Sequence, residues 1–161
     1  RDMVSKDHGP LQGDAILATF NSPTELADHE AHAIAAALEI QALVIRTRFA
    51  NDVELGTRIG INTGEAVCGT VGSDNRLGFT VHGDEVNLAA RLEQMNKALG
   101  TRILVSGSTV ATVRDRFEFS RVGVMPVRGR TQPVIVYRVA GPHTPLETQT
   151  PDAAEALIGS V

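Results

Sequence analysis

The stretch that most constrains the fold of this chain runs from Arg58 to Leu92 and reads RIGINTGEAVCGTVGSDNRLGFTVHGDEVNLAARL. Apolar runs separated by glycine and polar turn residues predict three short strands followed by a helix. The strands are expected at 59–61, at 66–68, where Gly69 and Gly72 interrupt the second one, and at 79–81. Short strands joined by tight turns beside a helix are typical of α+β domains.

The helix that opens at Gly83-Asp84 carries two kinds of side chain. Asn87 and Arg91 lie four residues apart and therefore share one helix face. An apolar stripe for the core is formed by Leu88, Leu92, Met95 and Leu99. A neutral amide beside the fixed fork of a guanidinium suits negative charge that builds up on a phosphoryl group.

The remaining elements are predicted from apolar runs and helix caps. Residues 15–20 are expected to form a buried strand, and a long helix is expected to begin near Thr24 and to reach about Phe49. Beyond Gly100, a natural C-cap, we predict a strand over 102–106, a short helix over 106–116 and strands over 117–122 and 134–139. This order predicts an α+β sandwich with a mainly antiparallel sheet and helices covering one face.

Length and composition fit one soluble globular domain. Chains of 161 residues bury roughly two thirds of their unfolded surface, and 42% hydrophobic with 21% charged residues is ordinary. The formal charge of −4 argues against a partner that is nucleic acid or an anionic membrane. No run of about 18 apolar residues predicts a membrane span. Cys68 is the one cysteine of the chain and is expected in the core. A single cysteine excludes an internal disulfide and indicates a reducing compartment.

Four segments resemble the signatures of the class III nucleotide cyclase catalytic domain, the adenylyl and guanylyl cyclase family. They are RIGINTGEAVCGTVGS, FTVHGDEVNLAARLE, GDAILATF at Gly13–Phe20 and VRGRTQPVIVYRV at Val127–Val139. The resemblance covers about Gly13 to Val139 and implies a ferredoxin-like core. It divides the chain into a catalytic domain over 1–140, incomplete at its amino-terminal side, and a Pro/Thr-rich tail or linker over 141–161.

The resemblance also implies roles for individual residues. Asn87 matches the position that orients the ribose, and Arg91 matches the one that steadies the α-phosphate during attack by the 3′ oxygen. Thr80 matches the position that reads the purine edge and favours adenine. Arg128 and Arg130 flank Gly129 in a loop where the family often has a cation for the terminal phosphates, and either arginine could serve.

The resemblance implies a two-ion site for Mg²⁺ or Mn²⁺, and Asp14 matches one of its two aspartates. The other aspartate belongs to an upstream strand that this chain lacks. Two carboxylates are needed to hold ions that activate the ribose hydroxyl and neutralise pyrophosphate, so we expect the chain by itself to bind metal poorly. Pro10 falls where the family often has a base-contacting lysine.

The function implied is that of an adenylate cyclase, which forms 3′,5′-cyclic AMP and pyrophosphate from ATP in a cytoplasmic homodimer. The homodimer is expected because the family builds each site from two chains, and Asp14, Asn87 and Arg91 all occur in this one. One alternative is a guanylate cyclase that uses GTP. Another is a non-catalytic domain that dimerises or senses nucleotide. In each case we expect other domains in the same polypeptide.

Overall fold

A computed structural model of the chain describes residues 15–47, 56–73, 76–127 and 133–142. Within these ranges three helices and six strands follow one another in mixed order. They are α1 (His29–Arg46), β1 (Ile59–Ile61), β2 (Val67–Ser73), β3 (Arg76–His82), α2 (Asp84–Leu99), β4 (Ile103–Ser106), α3 (Gly107–Val113), β5 (Phe117–Met125) and β6 (Val134–Pro142). None of the helices in these ranges combines the length and the apolar content needed to cross a membrane.

The strands form a four-stranded sheet in the order β1-β4-β6-β5 and a separate two-stranded sheet of β2 and β3. β1 and β4 are parallel, whereas β4 pairs with β6, β6 with β5, and β2 with β3 in antiparallel fashion. The prediction of an α+β fold with a mainly antiparallel sheet is therefore confirmed. β6 ends at Pro142, and the predicted tail beyond it lies outside the described residues.

Helices cover both faces of the four-stranded sheet, so the prediction that they cover one face is wrong. Ile103 and Val105 of β4 pack in one cluster with α1 and α3. Leu104, between them, packs in a second cluster with Leu88 and Leu92 of α2. Successive side chains of a strand point to opposite faces. A strand whose consecutive residues are all apolar is therefore buried on both sides, which the run Ile-Leu-Val already indicated.

The helix α2 lies directly on the backbone of β1. A Cβ atom added to Gly60 would overlap the carbonyl oxygen of Ala89 and the amide nitrogen of Glu93. At the far end of the helix, buried Asn96 donates from Nδ2 to the carbonyl oxygen of Ile59 at 3.0 Å. Gly60 therefore permits a close approach, and Asn96 fixes the position of the helix along the strand.

The segment before α1 differs from its prediction. Ala15 forms a single bridge, and Ile16 and Leu17 are 85% and 60% exposed rather than buried in a strand. The helix begins at His29, because Oδ1 of Asn21 accepts the amide of Leu26 at 2.7 Å and holds the preceding residues in a turn. The predicted helix end near Phe49 lies outside the described residues, and α1 is followed by extended Thr47.

The hairpin of β2 and β3 is longer than the sequence predicted. β2 continues through Gly69 and Gly72, because its backbone pairs with β3 over the whole length from Val67 to Ser73. The prediction that Cys68 is a core residue is wrong, since its side chain is exposed. The hairpin stands apart from the main sheet, since β2 and β3 form a sheet of their own. Cys68 is exposed although its segment is apolar.

Candidate active site

The start of α2 is fixed by Gly83, which joins the helix to β3. Gly83 has φ 147°, a backbone conformation that side-chain-bearing residues rarely adopt. Its carbonyl oxygen accepts the amide of Asn87 at 3.3 Å, and Asp84 and Glu85 occupy the first helical turn. Acidic residues at this end of a helix interact favourably with its dipole. The chain therefore passes from Thr80 on the strand to Asn87 on the helix through one tight junction.

A polar network anchors this junction to β1 and α3. Asn62, the residue after β1, donates from Nδ2 to the carbonyl oxygen of Glu85 at 3.1 Å and to its Oε2 at 2.7 Å. Ser108 donates to the carbonyl oxygen of Thr63 at 2.9 Å. The hydroxyl groups of Thr63 and Thr109 lie 3.0 Å apart. Sequence reasoning missed this network, although a polar Asn-Thr pair directly after an apolar strand was a usable signal.

Asn87 and Arg91 are both exposed on α2, next to the buried stripe that contains Leu88 and Leu92. Within the described part of the chain, neither side chain has a hydrogen-bond or ion-pair partner. Arg58, by contrast, is paired with Glu93 of the same helix at 2.8 Å. The structure thus presents one amide and one guanidinium, a helical turn apart, towards solvent.

Thr80 lies on β3 with its side chain half-buried. Its Oγ1 is 2.9 Å from Nε2 of His82, which lies two residues further along the same strand. Across the hairpin Thr80 is opposite Gly69, where a Cβ atom would meet no heavy atom of the described residues within 4 Å. Among these residues, the space over Gly69 is therefore open. His82 was not among the site residues predicted from the sequence.

Three predicted site residues, Asp14, Arg128 and Arg130, lie outside the described residues. Among the residues that are described, no group of three or more His, Cys, Asp or Glu side chains could hold a metal ion. Asp14, the expected ligand of the implied Mg²⁺ or Mn²⁺, is among the residues outside the described ranges. The described part of the chain supplies a hydroxyl on Thr80 and donors on Asn87 and Arg91, which suit a phosphorylated ligand.

Comparison with known proteins agrees with this arrangement. A family model described as the adenylate and guanylate cyclase catalytic domain matches residues 11–141. The chain is 40% identical over 135 residues to adenylate cyclase 1 of Rhizobium meliloti (strain 1021), which covers 81% of this chain and 20% of that protein. The chain therefore belongs to the adenylate and guanylate cyclase catalytic domain family, a family of phosphorus–oxygen lyases.

Solved structures of guanylyl cyclases are similar to the described fold. The guanylyl cyclase Cya2 has a TM-score of 0.68 and 30% identity, covering 80% of this chain and 66% of that chain. The non-canonical dimeric guanylyl cyclase domain of the RhoGC fusion protein from the aquatic fungus Blastocladiella emersonii has a TM-score of 0.65 and 25% identity. It covers 77% of this chain and 65% of that chain. The chain spans between a fifth and a quarter of the length of the first two curated relatives it matches.

Proposed function

We propose that this chain is the catalytic domain of an adenylate cyclase, which converts ATP to 3′,5′-cyclic AMP and pyrophosphate in a cytoplasmic homodimer. In this reaction the ribose 3′ oxygen attacks the α-phosphorus, and the bond to the oxygen bridging to the β-phosphate breaks. The observation that carries the proposal is the pair of exposed donors on Asn87 and Arg91, held on a helix whose neighbouring stripe is buried.

Arg91 is assigned to the α-phosphate. Its guanidinium is always charged and carries five N–H donors. Charge on the phosphoryl oxygens changes as pyrophosphate leaves, and a fixed cationic donor lowers the barrier when it stabilises the transition state more than bound ATP. Because Gly60 and Asn96 hold α2 on β1, the guanidinium starts from a fixed backbone position.

Asn87 is assigned to the ribose. It lies one turn before Arg91, so an amide that bonds a ribose oxygen would hold the sugar next to the phosphate that Arg91 contacts. Placing the 3′ oxygen in line with the bond to be broken removes much of the entropic cost of attack. The network around Asn62 and Glu85 supports this assignment, because it fixes the helical turn from which Asn87 extends.

Thr80 is assigned to the purine base. A threonine hydroxyl can accept a hydrogen bond from the amino group of adenine or donate one to the carbonyl oxygen of guanine. The 40% identity to an adenylate cyclase supports ATP as the substrate. The likeness to guanylyl cyclase structures makes GTP the alternative substrate to be tested. Among the described residues, the open space over Gly69, which lies opposite Thr80, leaves room for a base.

The remaining assignments need a second copy of the chain. Asp14 is our candidate metal ligand, and Arg128 or Arg130 our candidate contact to the terminal phosphates. We assign Asp14 of one copy and the donors on α2 of the other to the same site. In support, Val67 is 75% exposed on a hairpin that stands apart from the main sheet. Burial of such a side chain against a partner would remove apolar surface from water.

The proposal is tested with a protein that carries this domain together with its upstream sequence. Cyclic AMP and cyclic GMP are measured separately with ATP or GTP as substrate. Arg91→Ala should lower kcat by about 10²–10³, the usual cost of losing a preorganised donor. Lys97→Ala is the matched control, because Lys97 is also an exposed cation on α2 but lies in its last turn.

Three results would contradict the proposal. Equal losses in Arg91→Ala and Lys97→Ala would remove the catalytic assignment of Arg91. Cyclic GMP as the main product would identify a guanylate cyclase. Nucleotide binding without turnover, in a protein that has the upstream aspartate, would favour the sensing domain.

A further inference from the structure

The hydrogen bond between Thr80 and His82 lies on one face of β3. The two residues are two positions apart on the strand and therefore point to the same side. Val81, between them, is 9% exposed and points to the other side. Oγ1 of Thr80 and Nε2 of His82 are 2.9 Å apart, well within hydrogen-bond distance. His82 is exposed while Thr80 is half-buried, so the His82 ring contacts the threonine hydroxyl from the side of the solvent.

The direction of this hydrogen bond decides what Thr80 can offer to a base. A hydroxyl has one donor and two acceptor sites. If Nε2 of His82 accepts, the hydroxyl proton is used and the oxygen of Thr80 is left as an acceptor. If Nε2 carries a proton and donates it, Thr80 keeps its own proton for another acceptor. Adenine presents an amino donor where guanine presents a carbonyl acceptor, so the two directions favour different bases.

We propose that His82 is a specificity-determining positioning residue, which accepts the hydroxyl proton of Thr80 and thereby presents the threonine oxygen as an acceptor to adenine. This inference rests on the proposed function, in which Thr80 contacts the purine of ATP. His82 acts through Thr80 and does not need to touch the nucleotide. The bare backbone of Gly69 opposite Thr80 leaves the hydroxyl accessible to a base while His82 holds it.

The test compares kcat/KM for ATP with kcat/KM for GTP in wild type and variants. His82→Phe keeps a ring of similar size and removes both nitrogens, and should lower the ATP/GTP ratio on the order of tenfold, the worth of one hydrogen bond. His82→Gln supplies an amide oxygen as acceptor and should keep most of the preference. In a Thr80→Val background, His82→Phe should leave the ratio unchanged, because the hydroxyl it orients is gone.

The outcomes separate the inference from the proposed function. A wild-type protein that prefers ATP, with the same preference in His82→Phe, overturns the inference alone. An equal effect of His82→Phe with and without the Thr80 hydroxyl also overturns it, since His82 would then act by another route. A wild-type protein that forms mainly cyclic GMP, or no cyclic nucleotide, overturns both.

A spectroscopic measurement tests the hydrogen bond without activity. Nitrogen-15 NMR distinguishes the two ring nitrogens, and the signals of His82 are assigned by their loss in His82→Phe. In mildly alkaline buffer we expect the form with a proton on Nδ1 and none on Nε2. Thr80→Val should shift that balance towards the other form. A proton on Nε2 in the wild-type protein would overturn the inference.

Discussion

Asn62 donates two hydrogen bonds from Nδ2 to Glu85, one to the carbonyl oxygen at 3.1 Å and one to Oε2 at 2.7 Å. The contact joins the end of β1 to the first turn of α2. Gly64 packs against the same carboxylate, since a Cβ there would lie 2.5 Å from Cδ of Glu85. The turn that carries Asn87 is therefore positioned by a residue that lies on a different element.

Asn62→Ala should lower kcat about tenfold while KM for ATP changes less. Loss of a hydrogen bond to a charged group costs about 1.5–3 kcal/mol. We expect part of this cost to raise the barrier of the reaction, because the first turn of α2 is then less well positioned. Thr112→Ala is the control, because the hydroxyl of Thr112 donates to the carbonyl oxygen of Thr109 within α3 and is not bonded to Asn62 or Glu85. Steady-state kinetics and thermal unfolding are measured together. A fall in activity no larger than the fall in folded fraction would contradict a positioning role.

Gly60→Ala should destabilise the domain. Overpacking usually costs about 1–3 kcal/mol, and we expect a loss of stability towards the upper end of that range. The added methyl group meets backbone atoms of Ala89 and Glu93, which cannot move as a side-chain tip can. Gly69→Ala is the matched control, because no heavy atom of the residues that the structure describes lies within 4 Å of its added Cβ. Urea unfolding compares the two. If the two variants unfold at the same urea concentration, the close approach of α2 to Gly60 does not contribute to stability.

Val67→Lys should shift the protein towards monomer and remove most of its activity. Val67 is 75% exposed on the hairpin, and a charge there would be buried without a partner in the proposed dimer. Val124→Lys provides the control, since Val124 is 52% exposed on β5 of the main sheet. Sedimentation velocity and cyclase assays are run side by side. A dimeric, active Val67→Lys protein would exclude this hairpin from the interface.

Mixing two inactive variants tests whether the site is shared. Asp14→Ala and Arg91→Ala each remove one side chain of the proposed site. The two side chains are assigned to opposite halves of that site. Each mixed dimer therefore regains one intact site, and random exchange of subunits should restore roughly a quarter of wild-type activity. Self-mixing of each variant is the control. If exchange is demonstrated and no activity returns, each site is built within one chain.

Elements with strong local signals were predictable from the sequence. The stripe of Leu88, Leu92 and Met95 predicted α2 and its buried side, but Leu99, which was also expected in that stripe, is 42% exposed. Gly100 ends the helix in the left-handed conformation as expected. The main sheet also followed from its apolar runs. Recognition of the cyclase signatures rested on the same segment that carries Asn87 and Arg91, so the fold and these two candidate residues were predicted together.

Properties that depend on distant partners were not predictable in the same way. Ile16 and Cys68 lie in apolar segments and were expected inside, yet both are exposed. Whether an apolar strand is buried depends on what packs on it, and sequence pattern does not contain that information. The contact between Asn62 and Glu85 joins residues 23 positions apart, beyond the range of helix and turn rules.

The close packing of α2 against Gly60 limits how the activity of such a domain can be regulated. Sliding the helix along β1 would drive its backbone into the strand, and turning it would break the bond from Asn96 to Ile59. We therefore expect strand and helix to move together. In the proposed homodimer, a regulatory signal would then change the distance or angle between the two protomers, while the internal geometry of each protomer stays the same.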